Sequence, residues 1–130
     1  MIPFRVSLQS GTPVHEQVAF AARKAVISGQ MKTGDRFPSV RALSQACKIN
    51  PNTAHKVITQ LIAEGLLEVL PGIGTVVATP PAGARKERVR LLQRETEELV
   101  VEAKRLRLTL EEVQAAIATH WRNLESEQDR

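Results

Sequence analysis

The side chains in this chain that can do chemistry are concentrated between Ser39 and Lys56, and they suit recognition better than bond making. Arg41 carries a planar fork of N–H donors that fits the two acceptors on the major-groove edge of guanine. Asn52 donates and accepts at once, which is the pattern adenine presents. Thr53 offers a hydroxyl to phosphate and a methyl to thymine, and Lys56 offers a point charge to a nucleic-acid backbone. Two positions have a second reading. Capping alone explains Asn50 and is preferred there over a base contact, and Arg41 can also sit in a surface ion pair, although DNA contact is preferred for it.

Catalytic patterns are absent. The histidines His15, His55 and His120 fall in separate elements with no nucleophile, phosphate loop or metal-spaced cluster beside them. Glu95, Glu97, Glu98 and Glu102 interleave with Arg94, Lys104 and Arg105, as on a solvated helix face with ion pairs. The single cysteine, Cys47, excludes an intrachain disulfide and a multi-cysteine zinc site, and reads as a core thiol near a helix end. No enzyme activity, cofactor or metal is expected.

The elements that must position Arg41 and Asn52 are legible around them. Ser39 caps a helix with Leu43 and Ala46 inward and Arg41 outward in its first turn, ending near Cys47. Asn50 and Pro51 open the next helix, with Ala54, Val57, Ile58, Leu61 and Ile62 as its buried stripe and Gly65 as its left-handed stop. Its other face displays Asn52, Thr53, His55, Lys56, Thr59 and Gln60. Leu66 to Leu70 and Thr75 to Thr79 are β-prone runs around Pro71, Gly72, Ile73 and Gly74, and read as a hairpin. Upstream, Ile2, Phe4, Val6 and Leu8 alternate in a short extended arm. Thr12 and Pro13 then begin a first helix with Val14, Val18, Ala21, Ala22, Ala25 and Val26 on one face and Gly29 as its end. Lys32, Gly34 and Asp35 mark a turn.

Together these elements describe a winged helix-turn-helix over residues 1–79, followed by a linker at 80–84 rich in proline, alanine and glycine. Residues 85–130 read as a helical hairpin. Val89, Leu92, Thr96, Leu99, Ala103 and Leu106 step by three and four as a packing seam. Thr109 to Glu112 is a capping box, flanked by Leu108 and Val113 as a hydrophobic staple, and starts a second helix with Leu110, Val113, Ile117, Trp121 and Leu124 on its apolar face. Two helices outside the main core need a partner, and a second copy of the same tail gives a two-fold dimer through Leu92, Leu99, Leu106, Val113, Ile117 and Trp121. The other possibility is a hairpin folded back on its own first domain. The fold class is thus mainly α with a small β-hairpin, a winged helix-turn-helix followed by a C-terminal two-helix dimerisation tail.

Charge sharpens the functional reading. The 130 residues carry a net charge of +4, and the excess lies in the first segment: residues 1–80 hold 8 basic and 4 acidic side chains, residues 81–130 hold 10 and 10. A basic unit favours polyanions and salt-sensitive association with nucleic acid. With 3 phenylalanines, 1 tryptophan and no tyrosine, the chain lacks stacking platforms for single strands or RNA, which leaves duplex DNA. No cleavable leader and no apolar stretch of about 20 residues is evident, so a cytoplasmic protein without membrane association is expected.

Three segments, TPVHEQV at Thr12, ISGQMKTGDRFPSVRALS at Ile27 and EGLLEVLPGIGT at Glu64, with their spacing, resemble the GntR family of bacterial transcription regulators over Thr12 to Val77. The NPNTAHK helix and the short helical tail resemble its YtrA subfamily. The resemblance implies a cytoplasmic dimer that binds an inverted repeat, usually repressing its own operon, often one with an ABC transporter. Arg41 matches the arginine of the family's PSxR motif that grips DNA, and Ser39 belongs to the same motif. Asn50, Asn52, Thr53, His55 and Lys56 fall where the family places recognition-helix contacts, and Gly72, Gly74 and Thr75 fall on the wing. The chain departs from the pattern in three places. Ile73 stands where many relatives carry arginine or lysine, which weakens wing electrostatics. Pro51 replaces a base-reading arginine, and His15 replaces a frequent tyrosine.

Two other functions fit parts of the pattern. One is a winged helix that binds proteins, against which the basic bias and Arg41 weigh. The other is a sensor that holds an effector in the tail beside Trp121 and acts by changing the spacing of two wings; Trp121 is otherwise plain packing.

Overall fold

The computed structural model describes residues 2–79, 83 and 85–128, and for 126–128 the backbone alone. The described residues form two compact units, one made by residues up to 79 and the other by residues from 83 to 126. Of the predicted linker only Gly83 is described; its other positions lie outside the described residues.

In the first unit three helices and a hairpin share one core. Helix α1 (Val14–Ile27) buries Val18, Ala19, Ala22, Ala25 and Val26. Val14 is exposed, and Ala19 takes the place in the stripe that spacing gave to it. Thr12 does not cap α1. Pro13 occupies the N-cap position without a side-chain hydrogen bond, and the Gln17 side chain ties the incoming chain instead, donating to the carbonyls of Gln9 and Thr12 and accepting from Gln9 N–H at 2.8 Å. Helix α2 (Val40–Cys47) and helix α3 (Pro51–Ala63) follow as predicted. Ala46 is exposed, and α2 is anchored to the core by fully buried Leu43 with partly buried Val40 and Cys47 beside it.

The hairpin pairs β1 (Leu67–Leu70) with β2 (Gly74–Val77), antiparallel and with Leu67 opposite Val77. Its ends are shorter than the β-prone runs because Leu66 and Ala78 face each other outside the ladder, joined by Ala78 N–H to Leu66 C=O at 2.9 Å. The tip is a proline-then-glycine turn closed by Ile73 N–H on Leu70 C=O at 3.1 Å, with Gly72 at φ 76° as such a turn demands. The turn at Lys32–Asp35 continues into a pairing that periodicity did not show. Gly34 N–H donates to Val77 C=O, Val77 N–H to Asp35 C=O, and Phe37 N–H to Thr75 C=O, all within 2.8–2.9 Å. The segment leading into α2 is therefore fastened along the outer edge of the wing.

The N-terminal arm is not a strand, yet Phe4 is buried at 5% exposure in the same core as Phe37, Leu43, Val57 and Leu61.

The second unit begins with α4 (Arg85–Arg90) and α5 (Thr96–Arg105), joined through a π-helical stretch at Leu91–Glu95. Thr96 Oγ1 donates to the carbonyl of Leu91 at 2.8 Å, supplying a bond inside the widened turn. A wider turn holds about one residue more than an α-helical one, so Val89 and Leu92 lie about a quarter turn off the line through Leu99, Ala103 and Leu106, and Leu91 comes onto it. The single seam predicted from Val89 to Leu106 assumed an uninterrupted α-helix and is broken here.

Helix α5 ends in a left-handed stop at Arg107, φ 60°, with Leu108 N–H on Ala103 C=O and Arg107 N–H on Lys104 C=O. Helix α6 (Leu110–Gln128) starts at the expected capping box: Glu112 N–H donates to Thr109 Oγ1 at 3.1 Å and Thr109 N–H to Glu112 Oε2 at 3.0 Å.

Candidate nucleic-acid interface

The interface is built on α2 and α3. Ser39 accepts from Ala42 N–H at 3.1 Å, which caps α2 and sets Arg41 on its exposed first turn. The connection to α3 is tight. Lys48 adopts the left-handed conformation at φ 55°, and Ser44 closes the turn twice, accepting from Ile49 N–H through its carbonyl and donating its hydroxyl to Ile49 C=O at 2.6 Å. Ser44 was not singled out in the sequence, although a serine five residues before the apolar Ile49 is all the signal there is.

Asn50 then accepts from Asn52 N–H at 2.8 Å. The cap is formed and occupies the side-chain oxygen, which favours the capping reading of Asn50. Ala54, Val57 and Leu61 are fully buried, so the opposite face of α3 is fixed outward: Asn52, His55, Lys56 and Thr59 are exposed and Thr53 is half-buried. The helix N-terminus that carries Asn52 and Thr53 also turns its positive dipole end to the same side, although Pro51 has no N–H and the Asn52 N–H is held by the Asn50 cap.

On the wing, Gly72 and Gly74 have φ of 76° and 111°, and a Cβ built on either meets nothing within 4 Å. Glycine there answers a backbone requirement, and the space above it is open to an approaching ligand. Among the wing residues Gly72, Ile73 and Gly74 are exposed and Thr75 is half-buried.

A cleft of about 540 Å³ opens between α3 and the wing. Ser39, His55, Gly74 and Thr75 all line it, so predicted contacts from three elements meet in one place. Arg41, Asn50, Asn52, Thr53, Lys56 and Gly72 do not line it; they lie on the first turn of α2, the first half of α3 with its cap, and the wing tip. Arg36 also lines the cleft; its position five residues before Arg41 gave no helical or strand signal, because its only regular contact is a bridge to Val76. Among the described residues no group of three histidine, cysteine or acidic side chains is placed to hold a metal ion.

In the second unit Leu92, Leu99, Leu106, Ile117 and Trp121 are exposed and Val113 is half-buried. Trp121 Nε1 donates to Glu125 Oε1 at 3.0 Å. Arg105 pairs with Glu102 and holds that carboxyl below its ordinary range. No helix among the described residues is long and apolar enough to cross a membrane.

Comparison with known proteins places this architecture. Residues 14–77 match the bacterial regulatory proteins of the gntR family. Over 100 residues the chain is 31% identical to the HTH-type transcriptional repressor YtrA of Bacillus subtilis, an alignment that spans 76% of this chain and 77% of that one. A crystal structure of a transcriptional antiterminator from Listeria monocytogenes has the same fold, with a TM-score of 0.82 at 21% identity over 94% of this chain and 92% of the other. YtrA from Sulfolobus acidocaldarius, a GntR-family transcription factor, superposes with a TM-score of 0.57 at 26% identity, over 72% of this chain and 96% of that one. With its helix-turn-helix, its wing and these relatives, the chain belongs to the gntR family of bacterial regulatory proteins and is a DNA-binding transcriptional regulator of the YtrA type.

Proposed function

We infer that the protein is a cytoplasmic homodimeric repressor that binds an inverted-repeat operator, its winged unit reading DNA and its helical tail joining two copies. The observation that carries the dimer is the apolar surface of the tail: Trp121 is 67% exposed, Leu110 65% and Leu91 56%. Side chains of this size concentrated on one helical tail are what an association surface needs. Leu99, Leu106, Val113, Ile117 and Trp121 supply its contacts, with Leu91 taking the place that residue counting gives to Leu92.

Within each winged unit, Arg41 and Asn52 read bases, and Thr53, His55, Lys56 and Ser39 position the protein on phosphates. Gly72, Gly74 and Thr75 bring the wing backbone close to the duplex. Repression is supported by the name of the Bacillus subtilis relative, and regulation of the chain's own operon is the simplest arrangement for a small regulator of this kind.

The test is selection of bound duplexes from a random library with the purified full chain at two salt concentrations. Enrichment of an inverted repeat is expected, with half-sites spaced by a helical turn or its multiples. A single unrepeated motif would overturn the dimer, and salt-sensitive binding without any enrichment would overturn sequence-specific reading.

A further inference from the structure

A groove of about 750 Å³ lies between the N-terminal arm and α1, and none of the proposed DNA contacts lines it. Gln17, Phe20, Ala21 and Lys24 fall three and four residues apart, so they share one side of α1 and form one wall. The arm supplies the facing wall, with buried Phe4 and half-buried Val6 as its apolar part. Phe20 is 63% exposed on a helix whose Val18, Ala19, Ala22 and Ala25 are all at 2% or less, so its ring adds little to the core. The charges are one-sided. Arg5 on the arm and Lys24 on α1 are exposed, and neither forms an ion pair among the described residues. The acidic residues of the winged unit, Glu16, Asp35, Glu64 and Glu68, all lie outside the groove, while Ser7 and Gln30 add neutral hydrogen-bonding groups to it.

We propose that this groove binds a small aromatic carboxylate, its ring on Phe20 and its carboxylate held by Arg5 and Lys24. Size and charge select this occupant. The volume falls within the range of about 300–1,000 Å³ usual for small-molecule sites, and an apolar wall with a few polar groups is what orients such a ligand. Two cations without a neighbouring acid complement one anionic group, and an uncovered ring offers a face for stacking. Both walls are already in place. Gln17 ties Gln9 and Thr12 of the arm to α1, and Phe4 stacks on Phe37, so little ordering accompanies binding. A ligand that bridges arm and α1 therefore stabilises the folded winged unit by mass action. This puts a ligand site in the winged unit, away from the tail and Trp121. It makes no use of DNA contacts, so its failure would leave the operator reading untouched.

The test titrates the full chain, isotope-labelled for amide NMR, with naphthoate and with neutral naphthamide. Amide signals of Arg5, Ser7, Gln17, Phe20 and Lys24 should shift, and naphthoate should bind about five- to tenfold more tightly than naphthamide. Phe20→Ala should weaken both probes about tenfold. The double variant Arg5→Gln with Lys24→Gln, both at exposed positions, should bind the two probes equally and keep the naphthamide affinity of the unsubstituted chain. The proposal is overturned by an absence of shifts at millimolar naphthoate, or by shifts centred on the tail helices. Equal binding of both probes by the unsubstituted chain, unchanged binding in Phe20→Ala, or an anion preference that survives the double variant would overturn it as well.

Discussion

The ring of Phe4 stacks on the ring of Phe37, with centroids 5.9 Å apart and planes 23° from parallel. Phe37 in turn donates its backbone N–H to Thr75 at 2.9 Å and leads through Pro38 into the cap of α2. A residue near the start of the chain thus braces the strand edge of the wing and the start of the helix that carries Arg41. Phe4→Ala removes a ring that is 95% covered and should cost about 3 kcal/mol in urea unfolding, with operator affinity falling only as far as folded protein is lost. A cost below about 1 kcal/mol would mean that the arm packs loosely.

Arg41 and Lys56 are both exposed, yet their variants should differ in kind. Arg41→Ala should weaken specific binding by about 1–3 kcal/mol and relax preference at one position in each half-site. Lys56→Ala should weaken binding on all sequences alike and reduce the salt slope by about one. Binding titrations on a matched and a scrambled duplex separate the two, and interchanged behaviour would reverse the roles given to them.

Arg107 holds φ 60° at the end of α5, where glycine carries no steric penalty. Arg107→Gly should therefore stabilise the tail by about 1 kcal/mol, seen as a rise in the thermal midpoint of the helical signal. A lowered midpoint would show that the arginine side chain makes a compensating contact across the dimer.

The chain has one tryptophan, and Trp121 is 67% exposed in the single copy. If the tail pairs with a second copy, its emission should move to shorter wavelength as protein concentration is raised through the dimer dissociation constant. Emission that stays that of a solvated indole at all concentrations, while sedimentation reports a dimer, would place the interface away from this face of α6.

Cys47 is half-buried against the core, and this burial pushes its thiol above the ordinary value. The folded state therefore favours the neutral thiol. Its contribution to stability is present below the thiol's unfolded pKa and is lost as pH rises through the raised folded value. Alkylation of the native protein should be slower than that of the urea-unfolded chain at every pH from 7 to about 9. Equal rates would mean that Cys47 is open to solvent.

What could be read from the sequence was whatever is encoded by neighbours in the chain. Ser39, the Asn50–Pro51 pair and the Thr109–Glu112 box each announce a helix start, because a cap is made by residues two or three apart. The pairing of Asp35 and Phe37 with Val77 and Thr75 was hidden, since it is made by backbone groups that every residue possesses. Alanine hid too: Ala19 is buried and Ala46 exposed, and a methyl group is tolerated in either place. Phe4 gave only one apolar position in a loose alternation, and its burial depends on Phe37, distant in the chain. For the candidate interface, the chemical identity of each residue was legible, whereas the cleft that gathers Ser39, His55 and Thr75 exists only after α3 and the wing have packed.

The π-helical stretch at Leu91–Glu95 also bears on how this chain is compared with others. Five residues wound this way cover about the same rotation and rise as four in an α-helix. The stretch is in effect a one-residue insertion concealed inside a continuous helix, and the parts on either side keep the phase of a tail one residue shorter. Alignment with a relative whose tail is uniformly α-helical therefore needs a gap in mid-helix, where gaps are ordinarily penalised. Without that gap, the helical positions Arg85–Arg90 before the stretch are matched to the wrong face.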